Sequence, residues 1–72
     1  MKTDYAYELT NSENEVLKLL SEGYSNGEIA KKLSVSECTV KAHVSHILVK
    51  MGVSNRIQAA IKFIKNKEKY NH

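Results

Sequence analysis

The sequence predicts an all-α fold, a four-helix bundle containing a helix-turn-helix. Apolar residues recur at three- and four-residue intervals along most of the chain, with no alternating run that reads as a strand. A hydroxyl residue followed three positions later by Glu, the pattern of a reciprocally capped helix start, occurs at Thr10/Glu13 and again at Ser25/Glu28. Gly23 and Gly52 each close a periodic segment, and there is no Pro.

Taken in order, Thr10 is a cap for the free amides of a first helix, with Glu13 reaching back to complete the box. Val16, Leu17, Leu19 and Leu20 follow at helical spacing until Gly23, which gives a helix over about 11–22. Ser25 and Glu28 open a shorter second helix, about 26–33, striped by Ile29, Ala30 and Leu33. In the connection Ser34-Val35-Ser36, Val35 is expected to fill a buried pocket and Ser36 to cap a third helix running from Glu37 to Met51, ended by Gly52. Ser54 is the expected cap of a fourth helix over about 55–66. The expected organisation is thus a flexible tail over 1–8, one domain over 9–66 and a second flexible tail over 67–72.

The central pair carries the functional signal. Two short helices about three residues apart, with small Ala30 where they would cross, describe a helix-turn-helix. At 100° per residue, Val40, Val44, Ile47 and Met51 share one arc of the third helix, with Leu48 at its edge. Cys38, Lys41, Ala42, Ser45 and Val49 gather on the opposite side. A helix facing water usually carries long charged residues, whereas this face has a single Lys among small, weakly hydrated groups. Small residues permit close approach to base edges in a major groove. There Lys41 can donate to guanine O6/N7 or to a phosphate, Ala42 can touch a thymine methyl, and Ser45 can donate or accept. The alternative is a face packed against another protein, as in a small protein–protein adaptor.

These residues lie in a longer pattern. Leu9-Thr10, Glu13, Glu15-Val16-Leu17, Gly23, Ser25-Asn26, Glu28-Ile29-Ala30, Leu33, Val35-Ser36, Thr39-Val40-Lys41, His43-Val44, Ile47, Lys50-Met51-Gly52-Val53, Arg56 and Gln58-Ala59 follow one another in order and without a gap. Together they resemble the LuxR/GerE-type DNA-binding domain, which also forms the output domain of NarL-type response regulators. The resemblance implies that the third helix enters the major groove and the fourth dimerises. Cys38, Lys41, Ala42 and Ser45 would face bases, and Ser25, Asn26, Thr39, His43 and Lys50 would lie near phosphates. Ser12 and Asn14 stand where family members often carry Arg, and Cys38 and Ser45 where basic residues are common. Lys41 is left alone on the base-facing side, which lowers the expected affinity per domain.

The fourth helix has two apolar faces. Ala59 and Phe63 are assigned to the domain core, and Ile57, Ala60, Ile61 and Ile64, spanning about 100° of arc, to a twofold partner; the alternative is that both faces are partly internal. Expected partners are double-stranded DNA and a second copy of the chain, with RNA polymerase as a further candidate. A region-4-like domain of a sigma factor is the related alternative; the Thr39-Val40-Lys41…His43 run and the Ile face favour the LuxR/GerE reading.

Composition excludes much else. Seventy-two residues allow one small domain, too small for a deep substrate pocket. No nucleophile is paired with a base and no Gly-rich phosphate loop is present, so no enzyme, small-molecule substrate or cofactor is expected. One Cys builds no disulfide framework and suits a reducing cytoplasm, and the LuxR/GerE resemblance implies a place there at the bacterial nucleoid. No apolar run exceeds three residues, and the first residues lead into no signal-peptide core, so no membrane segment is expected. His43 and His46 are three apart, but Cys38 and His72 are badly placed to complete a zinc site, so no metal is expected. Charge is polarised: residues 1–22 carry two Lys against five acids, and residues 23–72 carry nine Lys/Arg against three Glu. A basic rear suits a polyanionic partner, in a chain expected to be either a stand-alone regulator or the output part of a longer one.

Overall fold

The structure, a computed structural model, describes residues 8–70, with side chains described through Asn66. It consists of α1 (Asn11–Ser21), α2 (Asn26–Leu33), α3 (Glu37–Met51) and α4 (Arg56–Tyr70), with no strand among the described residues.

Local chemistry sets each boundary. Thr10 and Glu13 form the full capping box: the Glu13 amide donates to Thr10 Oγ1 at 3.1 Å and the Thr10 amide to Glu13 Oε1 at 3.0 Å. Ser25 and Glu28 repeat it on α2, and Ser36 Oγ accepts the Thr39 amide to start α3. The first three helices end alike. The amide of the residue after a left-handed residue returns to a carbonyl five residues back (Tyr24 to Leu19, Val35 to Ala30, Val53 to Leu48). Gly23 and Gly52 occupy that position in α1 and α3 with φ of 98° and 69°. In α2 it falls to Ser34, at φ 58°, which has a Cβ and pays for it in strain.

Two boundary expectations and one of burial are corrected. Asn55, not Ser54, caps α4: Asn55 Oδ1 accepts the Gln58 amide, while the Ser54 amide donates to Gln58 Oε1. The helix begins one residue later than the Ser54 cap implied. At its other end, α4 continues to Tyr70, through part of the stretch expected as a tail, since no Gly or Pro follows Gly52 in the sequence to stop it. Val35, expected beneath the turn, is 41% exposed, because the left-handed step at Ser34 turns the chain outward and Leu33 packs on the core instead. The rest of the expected tails, residues 1–7 and 71–72, lies outside the described residues.

The core joins all four helices. Val16, Leu17 and Leu20 of α1, Ile29 and Ala30 of α2, Val40, Ile47 and Met51 of α3 and Ala59 of α4 are buried, with Phe63 packed against them. α1 is the central element, resting on both α4 and α3, and α2 leans on α3. That arrangement consumes one arc of α3 and leaves the opposite one open.

Candidate nucleic-acid interface

Ser36, Val40, Ile47 and Met51 hold α3 in place, by cap at one end and burial along one side. Its other side carries the expected reading face. Cys38, Lys41, Ala42 and Ser45 are all exposed, and Val49 continues the stripe at 80% exposure. Among the described residues, no side chain buries Ala42 or Ser45. The helix is about 22 Å long, and with ordinary side chains it would be about 10–12 Å across. A major groove is about 12 Å wide, so short side chains on the leading edge are what lets backbone approach base.

Between reading face and core lies a flank. Thr39, His43, His46 and Lys50 fall within about 60° of arc on α3. Thr39 is exposed, its Oγ1 hydrogen-bonded to Ser36 Oγ at 2.9 Å. His43 is half-buried, and its Nδ1 has no hydrogen-bond partner and no contact with solvent. Lys50, expected near a phosphate, is exposed but engaged: its ammonium donates to Glu13 Oε1 at 2.8 Å and to the Glu8 carbonyl at 3.4 Å. His46 Nδ1 lies 3.5 Å from the other oxygen of the same carboxylate.

Glu13 is therefore the polar anchor between α1 and the candidate reading helix. It is 3% exposed, the one buried charged residue among those described. Burial pushes its carboxyl upward, while the Lys50 hydrogen bond, the Thr10 amide, the positive charge of Lys50 and, when it carries a proton, His46 pull it down. The balance falls below its ordinary 4.5. Sequence reading found the cap and missed the anchor. A readable signal existed: Glu13 precedes Val16, Leu17 and Leu20 by three, four and seven residues, which puts a carboxylate on the apolar face of α1.

A second brace was also missed. Arg56, at the start of α4, donates to Asn26 Oδ1 at 2.6 Å and to the Tyr24 carbonyl at 2.9 Å, fastening α4 to the entry of α2. Asn26, expected near a phosphate, thus spends its side-chain oxygen on Arg56. Ser25 is exposed, and its Oγ is the α2 cap. The amides of Asn26 and Gly27 in that first turn have no acceptor within the helix. Nearby, the Lys32 ammonium sits 4.6 Å over the Tyr24 ring.

On α4, Ile57, Ile61 and Ile64 are exposed, Ile57 at 68%. Ala60 departs from the expected set: it is half-buried against the core, since it lies at the edge of the stripe nearest Phe63. An open depression of about 320 Å³ beside Ile61 is lined by Val53, Gln58, Ile61, Lys62 and Lys65. Among the described residues, no three His, Cys, Asp or Glu side chains are grouped to hold a metal ion, and no helix is long and apolar enough to cross a membrane.

Comparison with known proteins bears on this geometry. Residues 7–63 match the family model described as bacterial regulatory proteins, luxR family. The transcriptional regulatory protein DegU of Brevibacillus brevis is 55% identical over 58 residues, 81% of this chain and 25% of that protein. The nitrate/nitrite response regulator protein NarL of Escherichia coli K12 is 44% identical over 54 residues, 75% of this chain and 25% of that protein. The chain thus spans about a quarter of the length of these relatives. The solved structure of the transcription factor GerE superposes with a TM-score of 0.74 at 40% identity, covering 83% of this chain and 90% of that one.

Proposed function

The chain belongs to the luxR family of bacterial regulatory proteins, and on that premise we propose that it binds double-stranded DNA sequence-specifically, as the output unit of a transcriptional regulator in the bacterial cytoplasm. The observation that carries this reading is the open, single-lysine face of α3, opposite the arc that the core consumes. Cys38, Lys41, Ala42 and Ser45 meet base edges. Lys41 supplies the charged donor for guanine O6/N7 or a phosphate, Ser45 a hydroxyl, and Ala42 a methyl-sized contact for thymine. Thr39, His43 and Lys50 on the flank, with Ser25 and Asn26 at the α2 entry, meet phosphates and set the register of the helix in the groove.

Two copies associate through Ile57, Ile61 and Ile64, with Ala60 at the margin of the contact. The exposure of these isoleucines, and the depression beside Ile61 that a partner side chain can enter, support this. RNA polymerase is a further partner of the assembled regulator.

Selection from a pool of random duplexes tests the proposal. The expected product is a short motif recurring at a spacing of about 10–10.5 bp, bound in preference to random competitor at 50 mM salt. A pool that stays unenriched through repeated rounds contradicts it.

A further inference from the structure

Glu13, Lys50 and His46 form a cluster that the proposed base and phosphate contacts do not use up. One buried carboxylate faces two residues a turn apart on α3: it accepts from Lys50 at 2.8 Å, and His46 Nδ1 lies 3.5 Å from its other oxygen without a hydrogen bond. Neither partner is locked in. The Lys50 side chain is 36% exposed and the His46 side chain 63% exposed, and both lie on the flank of α3 that faces the groove wall when the helix docks.

A phosphate at that wall competes for the Lys50 ammonium. If Lys50 leaves, Glu13 keeps only the Thr10 amide, and a buried carboxylate without a counter-charge is costly. The imidazole already beside it can supply the missing charge by taking a proton. Among the described residues, Glu13 of α1 is the charged group that meets His46, and Lys50 and His43 lie a turn away on α3. The segment before α1 adds the Glu8 carbonyl to the Lys50 ammonium at 3.4 Å, and α4 sets its Lys62 ammonium on the Met51 carbonyl at 3.1 Å at the end of α3.

We propose that duplex DNA draws Lys50 off Glu13 onto a backbone phosphate, and that His46 takes a proton from the buffer to replace it on the carboxylate. DNA binding is then tied to pH and strengthens as pH falls. The proposal rests on the reading of α3 as a DNA-docking helix.

Calorimetric titration of the chain with a 24-bp mixed-sequence duplex at low salt and pH about 7, in buffers of different ionisation enthalpy, counts the protons exchanged. The expected result is uptake of up to about one proton per chain, with affinity rising up to about tenfold per pH unit as pH falls. His46→Gln and Glu13→Gln both remove the uptake. Gln at position 13 still completes the capping box, and His46→Gln, at an exposed position, keeps the test open if Glu13→Gln unfolds. Lys50→Gln removes the uptake and flattens the salt slope of log affinity by about 0.9, the share of one phosphate. Binding without uptake by the unaltered chain, or uptake that persists in Glu13→Gln because phosphates charge a histidine directly, overturns the exchange and leaves DNA binding standing. No binding to the duplex at low salt overturns both readings.

Discussion

At the scale of single residues, Lys41 and Glu13 make opposite demands on their surroundings. Lys41 stands exposed among small neighbours on the face of α3 proposed to read bases. Replacing it with Ala should cost about 1–3 kcal/mol of specific binding and much less of non-specific binding. Competition gel shifts against random duplex measure the two together; equal loss on every sequence refutes its base-reading role. Glu13 works inward, and its lowered pKa makes it a contributor to stability. Because the folded value lies below the ordinary 4.5, that contribution is fully present above 4.5 and is lost as pH falls through the folded value. Urea melts between pH 7 and pH 3 should show a stability loss at the acid end that is smaller in Glu13→Gln. The capping role of Glu13 was legible because Thr10 is three residues away. Its pairing with Lys50, 37 residues along the chain, was not, because a contact of that separation exists only once α1 lies across α3.

At the scale of elements, the sequence is most informative where a boundary depends on one or two neighbouring residues. Both capping boxes, the Ser36 cap and the two glycine stops are of that kind, and α2 and α3 have the limits their caps and stops imply. The misread boundaries had two near-equivalent candidates, Ser54 and Asn55, or no stop residue at all, beyond position 66. Removing the cap that operates, Asn55→Ala, should destabilise the fold by about 1 kcal/mol, while Ser54→Ala keeps the capping oxygen and changes stability less. The αL residue that closes α2 offers the reverse effect. Ser34→Gly relieves a left-handed Cβ, worth about 1–2 kcal/mol, against the backbone entropy Gly loses on folding, for a net gain of about 0.5–1 kcal/mol. Thermal unfolding of the three variants separates these cases. On α4, Ile61→Glu places a charge in the exposed apolar stripe; sedimentation should show loss of self-association with unchanged helicity. Unaltered association would move the dimer contact off this face.

At the scale of the whole molecule, one asymmetry organises the account. The core draws on one arc of α3 and braces it with the Glu13 anchor, while Arg56 fixes α4 to the start of α2 beside it. The far arc is left narrow and open at the basic rear of the chain. Periodicity revealed which arc was which, since Val40, Val44, Ile47 and Met51 repeat at helical spacing. It did not reveal that Ala60 lies half against the core or that Val35 faces out, because both depend on how neighbouring elements meet rather than on spacing within one. The direct test is residue-resolved: amide chemical-shift mapping of the chain titrated with a duplex recovered by selection. The account predicts the largest shifts along Cys38, Lys41, Ala42 and Ser45, smaller ones at Ser25, Asn26, Thr39, His43 and Lys50, and little change on the solvent side of α1. Shifts centred on α1 or on the α4 isoleucines, with the far arc of α3 silent, would contradict it.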